Sequence, residues 1–186
     1  MIRSPVPMLG FCAHGSGIGK TTLLSSLIPV LKLHGLRISV IKHAHHTFDI
    51  DHPGKDSYRL REAGAVQVLL GSRRRWALMT ELSHIGPEAP EPRLAEFMEH
   101  MDASLADLIV VEGFKQEPIP KIEVCRPSLN TPLLADTDPH VIAIAADGPV
   151  ATHLPVLDLN DPVIIADFVL VWLEHQQNVR RIAKSL

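Results

Sequence analysis

The segment Met8-Leu9-Gly10-Phe11-Cys12-Ala13-His14-Gly15-Ser16-Gly17-Ile18-Gly19-Lys20-Thr21-Thr22 sets the architecture of everything around it. Its first six residues form a short, uninterrupted apolar run, the pattern of a strand covered on both faces of a sheet. A glycine-rich turn follows at once. Beyond it Leu24, Leu27, Ile28 and Leu31 recur at helical spacing, with Gly35 as a stop and Pro29 as the site of a kink. Strand, glycine turn and helix around Gly17-Ile18-Gly19-Lys20-Thr21 is the context in which a chain can cradle phosphate. Glycine permits the tight turn, so the amides of residues 16–20 converge, and the helix adds its positive end. Gly15, Ser16, Gly17, Ile18, Gly19, Lys20, Thr21 and Thr22 are therefore the expected nucleotide-binding set. Lys20 would reach the β and γ phosphates, Thr21 would ligate magnesium and Thr22 would touch the α-phosphate. The common form of this motif carries glycine at its first position, where this chain has His14 followed by Gly15.

Working outward, a magnesium site of this kind needs a second acid at the end of a neighbouring strand. Glu112 closes the apolar run Leu108–Val111, and Gly113 after it permits close approach, so Glu112 is the expected metal and catalytic acid. A solvated strand-end carboxylate is the alternative. Asp49 and Asp51 lie in the polar loop after the second strand, Arg37–Ile41, where a carboxylate could orient water or simply serve the loop. Asp49 is taken as a second catalytic candidate. Asp147, in an Asp-Gly-Pro sequence after the strand Val141–Ala145, could accept from a guanine base or make a turn. Lys42-His43-Ala44-His45-His46, with His52, could bind metal, contact ligand or phosphate, or be loop structure. Arg73-Arg74-Arg75 could grip phosphate or carboxylate, or decorate a hairpin turn.

The remaining pattern alternates strands and helices, which predicts an α/β fold: a mostly parallel sheet flanked by helices, in one domain spanning 1–186. Val66–Leu70 and Trp76–Thr80 lack an intervening helix and predict a small antiparallel ribbon. Asp56 is expected to cap a helix ending near Gly64, and another helix is expected across Leu94–Met101 after an irregular connection, His84–Pro92. Lys121–Val124 is a further strand. Asp161-Pro162 reads as a helix start, with Ile164, Phe168, Val171 and Trp172 as its buried stripe and Asn178–Leu186 as a frayed tail.

Of the 186 residues 46% are apolar, enough for a sizeable core, while aromatics are only 4%, so that core must be aliphatic. A net charge of −3 gives no bulk reason to expect a nucleic-acid or membrane partner. No apolar run reaches the length of a membrane span, and the N-terminus lacks a secretory pattern, so the cytoplasm is the expected compartment. Cys12 and Cys125 each sit in an apolar run and read as buried thiols.

Taken together, GIGKTTL, IKHAHHTFDIDHPGKDSYRLREAGA, RRRWALMTE and DLIVVEGFK closely resemble the molybdopterin-guanine dinucleotide biosynthesis adaptor family, MobB. The resemblance covers nearly the whole chain, and the segments Ile41–Ala65 and Val111–Lys115 are its most specific part. It implies a GTP-binding protein with feeble GTPase activity, at most a weak enzyme, using GTP and Mg2+ and usually a homodimer. The implied partner is the molybdopterin-guanine dinucleotide nucleotidyltransferase, with molybdopterin as a further candidate ligand. The loop His43–Asp56 and the arginines near Trp76 would then face the second ligand or the partner. A small-molecule kinase using Lys20 and Arg73–Arg75, or a metallochaperone GTPase using the histidines, are the competing readings.

Overall fold

The computed structural model describes residues 4–44, 48–85 and 91–184. In chain order the elements are β1 (Met8–Cys12), α1 (Lys20–Leu33), β2 (Ile38–Lys42), α2 (Asp56–Glu62), β3 (Gln67–Gly71), β4 (Trp76–Thr80), α3 (Leu94–Glu99), β5 (Leu108–Glu112), β6 (Lys121–Cys125), β7 (Val141–Ala146), β8 (Val156–Asp158) and α4 (Pro162–Lys184). Short 3-10 turns join several of them. The residues fall into two units, Met1–His43 with Arg93–Leu186, and the inserted segment Ala44–Pro92.

The first unit is a six-stranded sheet in the order β2-β5-β1-β6-β7-β8, with every pairing parallel. Side chains alternate across a strand, so the two faces can be read directly. Leu9 and Phe11 of β1, Val110 of β5, and Ile122 and Val124 of β6 join Leu24, Leu27 and Leu31 of α1 and Ile165 and Val169 of α4 in one aliphatic core. Met8, Ile109 and Val111 turn the other way and pack with Ile41, Leu94 and Phe114. Burial of this kind contributes about 25 cal/mol per Å2 of apolar surface, which is why the central strands contain almost nothing else.

Among the described residues three charged side chains nevertheless lie inside: Glu112 at the end of β5, Lys121 and Glu123. Lys121 is 1% exposed, and its ammonium is held by Asp138 Oδ2 at 2.6 Å and by the carbonyls of Glu117 at 2.7 Å and Lys115 at 3.0 Å. Three acceptors match the three protons of an ammonium, so the buried charge is compensated and the segment after Glu112 is tied down. Glu123, 2% exposed, accepts from the amides of Leu134 and Ala135, each at 2.9 Å.

The second unit is small. β3 and β4 form the expected antiparallel ribbon, with Leu69 opposite Leu78 and Gly71 opposite Trp76. Val68 and Met79 are buried on the opposite face, and α2 packs against β3.

α1 continues through Pro29, as the apolar pattern on both sides of it implied. Several other details differ from the sequence reading. Asp56 is the first residue of α2, after an N-cap at Lys55, and makes no side-chain cap; its charge instead sits in the first turn, where the helix dipole favours it. β8 is an additional strand, too short for periodicity to expose. Asp161 does cap α4, its Oδ1 accepting from the amides of Val163 at 2.9 Å and Ile164 at 3.3 Å. The buried stripe of that helix is Ile165, Ala166, Val169 and Leu173, with Phe168 and Trp172 half-buried beside it and Ile164 and Val171 exposed. Val163-Ile164-Ile165-Ala166 is apolar throughout, so spacing alone fits two phases, and packing against α1 selects the one that buries Ile165. The helix extends to Lys184, across most of the tail expected to fray.

The stem of Lys121 crosses the sheet over Gly10, where an added Cβ would lie 2.6 Å from Lys121 Cγ and 3.3 Å from Ile119 Cδ1. Gly10→Ala is therefore expected to destabilise the protein by about 1–3 kcal/mol, through overpacking of a filled site. Equilibrium urea unfolding checks this: the midpoint should fall with an unchanged slope.

Candidate functional site

The parallel sheet brings the C-terminal ends of β1, β2, β5 and β6 to one edge, the place where open α/β sheets bind ligands. The turn between β1 and α1 begins there. Gly17 and Gly19 have φ of 74° and 113°, left-handed values that glycine adopts without strain. Ile18 between them is buried in the aliphatic core and anchors the turn, whereas His14 to Gly17, Thr21 and Thr22 are exposed. Gly19 precedes the 14-residue α1 and offers no side-chain cap, so no side chain at that position takes the amides opening the helix. Uncapped amides at the positive end of a helix are what a phosphate requires.

Lys20 folds back over this turn, its Nζ donating to the Gly15 carbonyl at 2.9 Å. Partial burial pulls its ammonium below the ordinary lysine range, while Glu112 acts in the opposite sense. One residue on, Thr21 Oγ1 donates to Glu112 Oε1 at 2.7 Å. Glu112 is 7% exposed and stands beside Lys42 in the β2–β5 register. Lys42 Nζ completes a triangle, donating to Glu112 Oε1 at 2.7 Å and to Thr21 Oγ1 at 2.9 Å. A hydroxyl and a carboxylate are hard oxygen donors suited to magnesium, and an ammonium already seated on both shows that the position accepts a cation. Thr21 and Glu112 thus fit the metal that the sequence implies.

Gly113, at φ 93°, leaves room for the neighbouring strand end, since a Cβ there would lie 2.9 Å from His43 Cβ. The His43 ring stacks on Phe114 at 4.7 Å, and Phe97 meets Phe114 edge-on at 5.7 Å. His43 is thereby packed beside the acid.

On the other flank Arg126, just after β6, donates from Nε to the Ile18 carbonyl at 2.9 Å, and its second terminal nitrogen would stand 3.2 Å from a Cβ at Gly19. Its remaining arm pairs with Asp147 Oδ2 at 2.5 Å. Asp147 therefore reaches the phosphate turn through Arg126. Arg126 was not picked out as a site residue by sequence reasoning, and Lys42 only as one member of the run Lys42–His46. The available signal was position: each lies at or just past the C-terminal end of a parallel strand, like Glu112.

The second unit holds the other candidates. Asp49 pairs with Arg61 at 2.5 Å, and Arg61 also binds Glu81 at 3.1 Å while its guanidinium lies 5.0 Å from the Tyr58 ring centre. The hydrogen bond from Arg61 holds the Asp49 carboxyl below the usual aspartate range. Asp51 Oδ1 accepts from Ser57 Oγ at 3.0 Å and from the His52 amide at 2.9 Å. Both aspartates thus serve a polar framework inside their own unit. Arg73–Arg75 are exposed in the β3–β4 turn, with Ser72 Oγ accepting from the amides of Arg74 and Arg75. His45 and His46 lie outside the described residues; among the described residues no group of three His, Cys, Asp or Glu side chains could hold a metal ion. Nor is any described helix long and apolar enough to cross a membrane.

Sheet order, glycine turn and strand-end acid together define a P-loop NTPase fold. Comparison with known proteins narrows this. The profile of the family described as "Molybdopterin guanine dinucleotide synthesis protein B" (MobB) matches residues 8–147. The molybdopterin-guanine dinucleotide biosynthesis adapter protein of Escherichia coli K12 is 47% identical over 175 residues, covering 94% of this chain and 97% of that one. Its counterpart in Haemophilus influenzae is 43% identical over 180 residues, with 96% of both chains covered. The crystal structure of Bacillus subtilis MobB superposes with a TM-score of 0.64 at 23% identity, over 89% of this chain and 96% of that one, which speaks for the fold. The chain belongs to the MobB family.

Arg61 is only 11% exposed and serves two carboxylates at once, so its loss should be felt throughout the small unit. Arg61→Met is expected to speed amide exchange across residues 49–61 about fivefold or more while leaving β1 and β5 protected. Hydrogen exchange followed by mass spectrometry reads both regions in one experiment.

Proposed function

We propose that this adapter protein of molybdopterin guanine dinucleotide biosynthesis binds GTP with magnesium at residues 15–22, acts in the cytoplasm as a homodimer, and serves the nucleotidyltransferase that attaches the guanine nucleotide. The observation that carries the nucleotide reading is the convergence of Lys20, Thr21 and Glu112 around an uncapped helix start. Lys20 exchanges the Gly15 carbonyl for β and γ phosphate oxygens. The helix-opening amides take the remaining phosphate charge, and Thr22 lies next to them. Thr21 keeps its proton on Glu112 and receives Lys42 on one oxygen lone pair, which leaves a second for a metal ion. Thr21 and Glu112 would hold magnesium, whose chemistry there would be to neutralise phosphate charge. Asp147, held at its strand end by Arg126, is the group in reach of a guanine base edge.

Slow hydrolysis agrees with this arrangement. In the role assigned here Glu112 serves Thr21 and the metal position, and no second carboxylate is drawn up beside it to align an attacking water among the described residues. An adapter that must hold or hand over its nucleotide needs binding more than turnover.

Dimerisation and partner contact are assigned to the second unit. Leu69, Gly71, Trp76 and Leu78 share one face of the β3–β4 ribbon and line a shallow apolar depression. Leu69 and Trp76 are 66% and 65% exposed, which is unusual for side chains of this size in adjacent strands. Arg73–Arg75, at the tip of the ribbon, are placed to meet molybdopterin or the acidic surface of a partner.

Lys20→Ala is expected to weaken GTP binding about 100-fold, the loss of charge-assisted contacts to phosphate, while the fold survives because alanine is a good helix former at the first, only partly buried position of α1. Calorimetric titration with magnesium and GTP tests it; near-wild-type affinity would refute the phosphate assignment. Paired Leu69→Glu and Trp76→Arg replacements should halve the mass seen by sedimentation equilibrium without changing GTP affinity. Persistence of the dimer would move the interface elsewhere.

A further inference from the structure

The Thr21–Glu112–Lys42 triangle has a consequence beyond phosphate binding, one that rests on the metal position assigned above. The Thr21 hydroxyl has one proton and two lone pairs. Its proton is spent on Glu112 Oε1 at 2.7 Å, and a lone pair receives Lys42 Nζ at 2.9 Å. The same ammonium stands 2.7 Å from Glu112 Oε1, as an ion pair with a carboxylate that is 9% exposed while the lysine side chain is 50% exposed. Magnesium bonds oxygen at about 2.0–2.1 Å and demands a regular shell, so at Thr21 it would take the remaining lone pair and share the oxygen with Lys42. Two cations touching one pair of oxygens would lie within about 4 Å of each other, where like charges repel strongly at the low dielectric of a nearly buried carboxylate.

We propose that Lys42 is a tethered cation that competes with the divalent metal for Thr21 and Glu112. Metal entry displaces the ammonium, and the half-exposed stem gives it somewhere to go. The side chain thereby sets how much metal is needed, as a specificity-determining residue of the nucleotide site. Lys42 reaches this position because β2 runs parallel to β5 with Lys42 directly opposite Glu112. A neighbouring register would point the side chain to the opposite face of the sheet.

The test uses the full chain and Mn2+ as probe, with free Mn2+ read by electron paramagnetic resonance, first on protein alone and then on protein with saturating GTP. Lys42→Met, which keeps the stem and removes the charge, is expected to bind Mn2+ about fivefold to tenfold more tightly than wild type in both arms. Lys42→Arg, which restores a cation, should return affinity towards wild type, a rescue that a merely structural role would not give. Lys42→Gln serves as a second neutral variant should Lys42→Met lose solubility. Unchanged or weaker Mn2+ binding in the neutral variants overturns the proposal. Failure of wild type to bind GTP at all would instead strike the nucleotide reading, since the protein-alone arm measures the competition without it.

Discussion

A carboxylate enclosed at the end of a fully buried strand must have its charge compensated, and Glu112 is such a group. The protein meets that demand with one hydroxyl from α1, the helix that follows β1, and one ammonium from β2; both precede it in the chain, and β1 and β2 flank β5 in the sheet. The geometry follows from parallel pairing, which sets β2, β5 and β1 side by side with their C-terminal ends together. The same pairing aims the helix after β1 at this edge, so acid, hydroxyl and uncapped amides arrive together without any long-range design beyond the sheet itself.

Around that edge, other charged groups act as fasteners. Lys121 secures the carbonyls of Lys115 and Glu117 from beneath, and Arg126 secures the Ile18 carbonyl from the side. Each binds main chain, so each fixes the path of a turn and leaves neighbouring side chains to do chemistry. Ile18 adds an apolar anchor between two glycines whose backbone conformations few other residues share. The phosphate turn is preorganised by its surroundings as well as by its own sequence.

Much of this was readable beforehand, for a physical reason. A strand buried on both faces is a run of apolar residues, and Met8–Ala13 and Leu108–Val111 could hardly be anything else. Glycine followed by Lys-Thr-Thr after such a strand leaves few conformations that satisfy the backbone. Glu112 was legible because it interrupts an apolar run at its end. Arg126 was not, and Lys42 only as one of a polar run, since nothing local separates a lysine that crosses to the next strand from one that points to water. In α4 the apolar positions outnumber those that one face can bury, and only the neighbouring helix resolved the phase. Asp49 was legible as a loop acid, but not its partner: Arg61 lies twelve residues further along the chain, and nothing in the loop itself marks the pair.

The Lys42–Glu112 contact joins residues 70 apart in sequence, with the whole inserted unit between them. Contacts of such separation carry a large chain-closure entropy and form late in folding. During synthesis the phosphate turn, complete by Thr22, leaves the ribosome long before its acid is made. A nascent chain therefore passes through an interval in which the glycine turn and its helix exist without the acid that pairs with them, and that edge of the sheet is assembled only when β5 closes between its two neighbours.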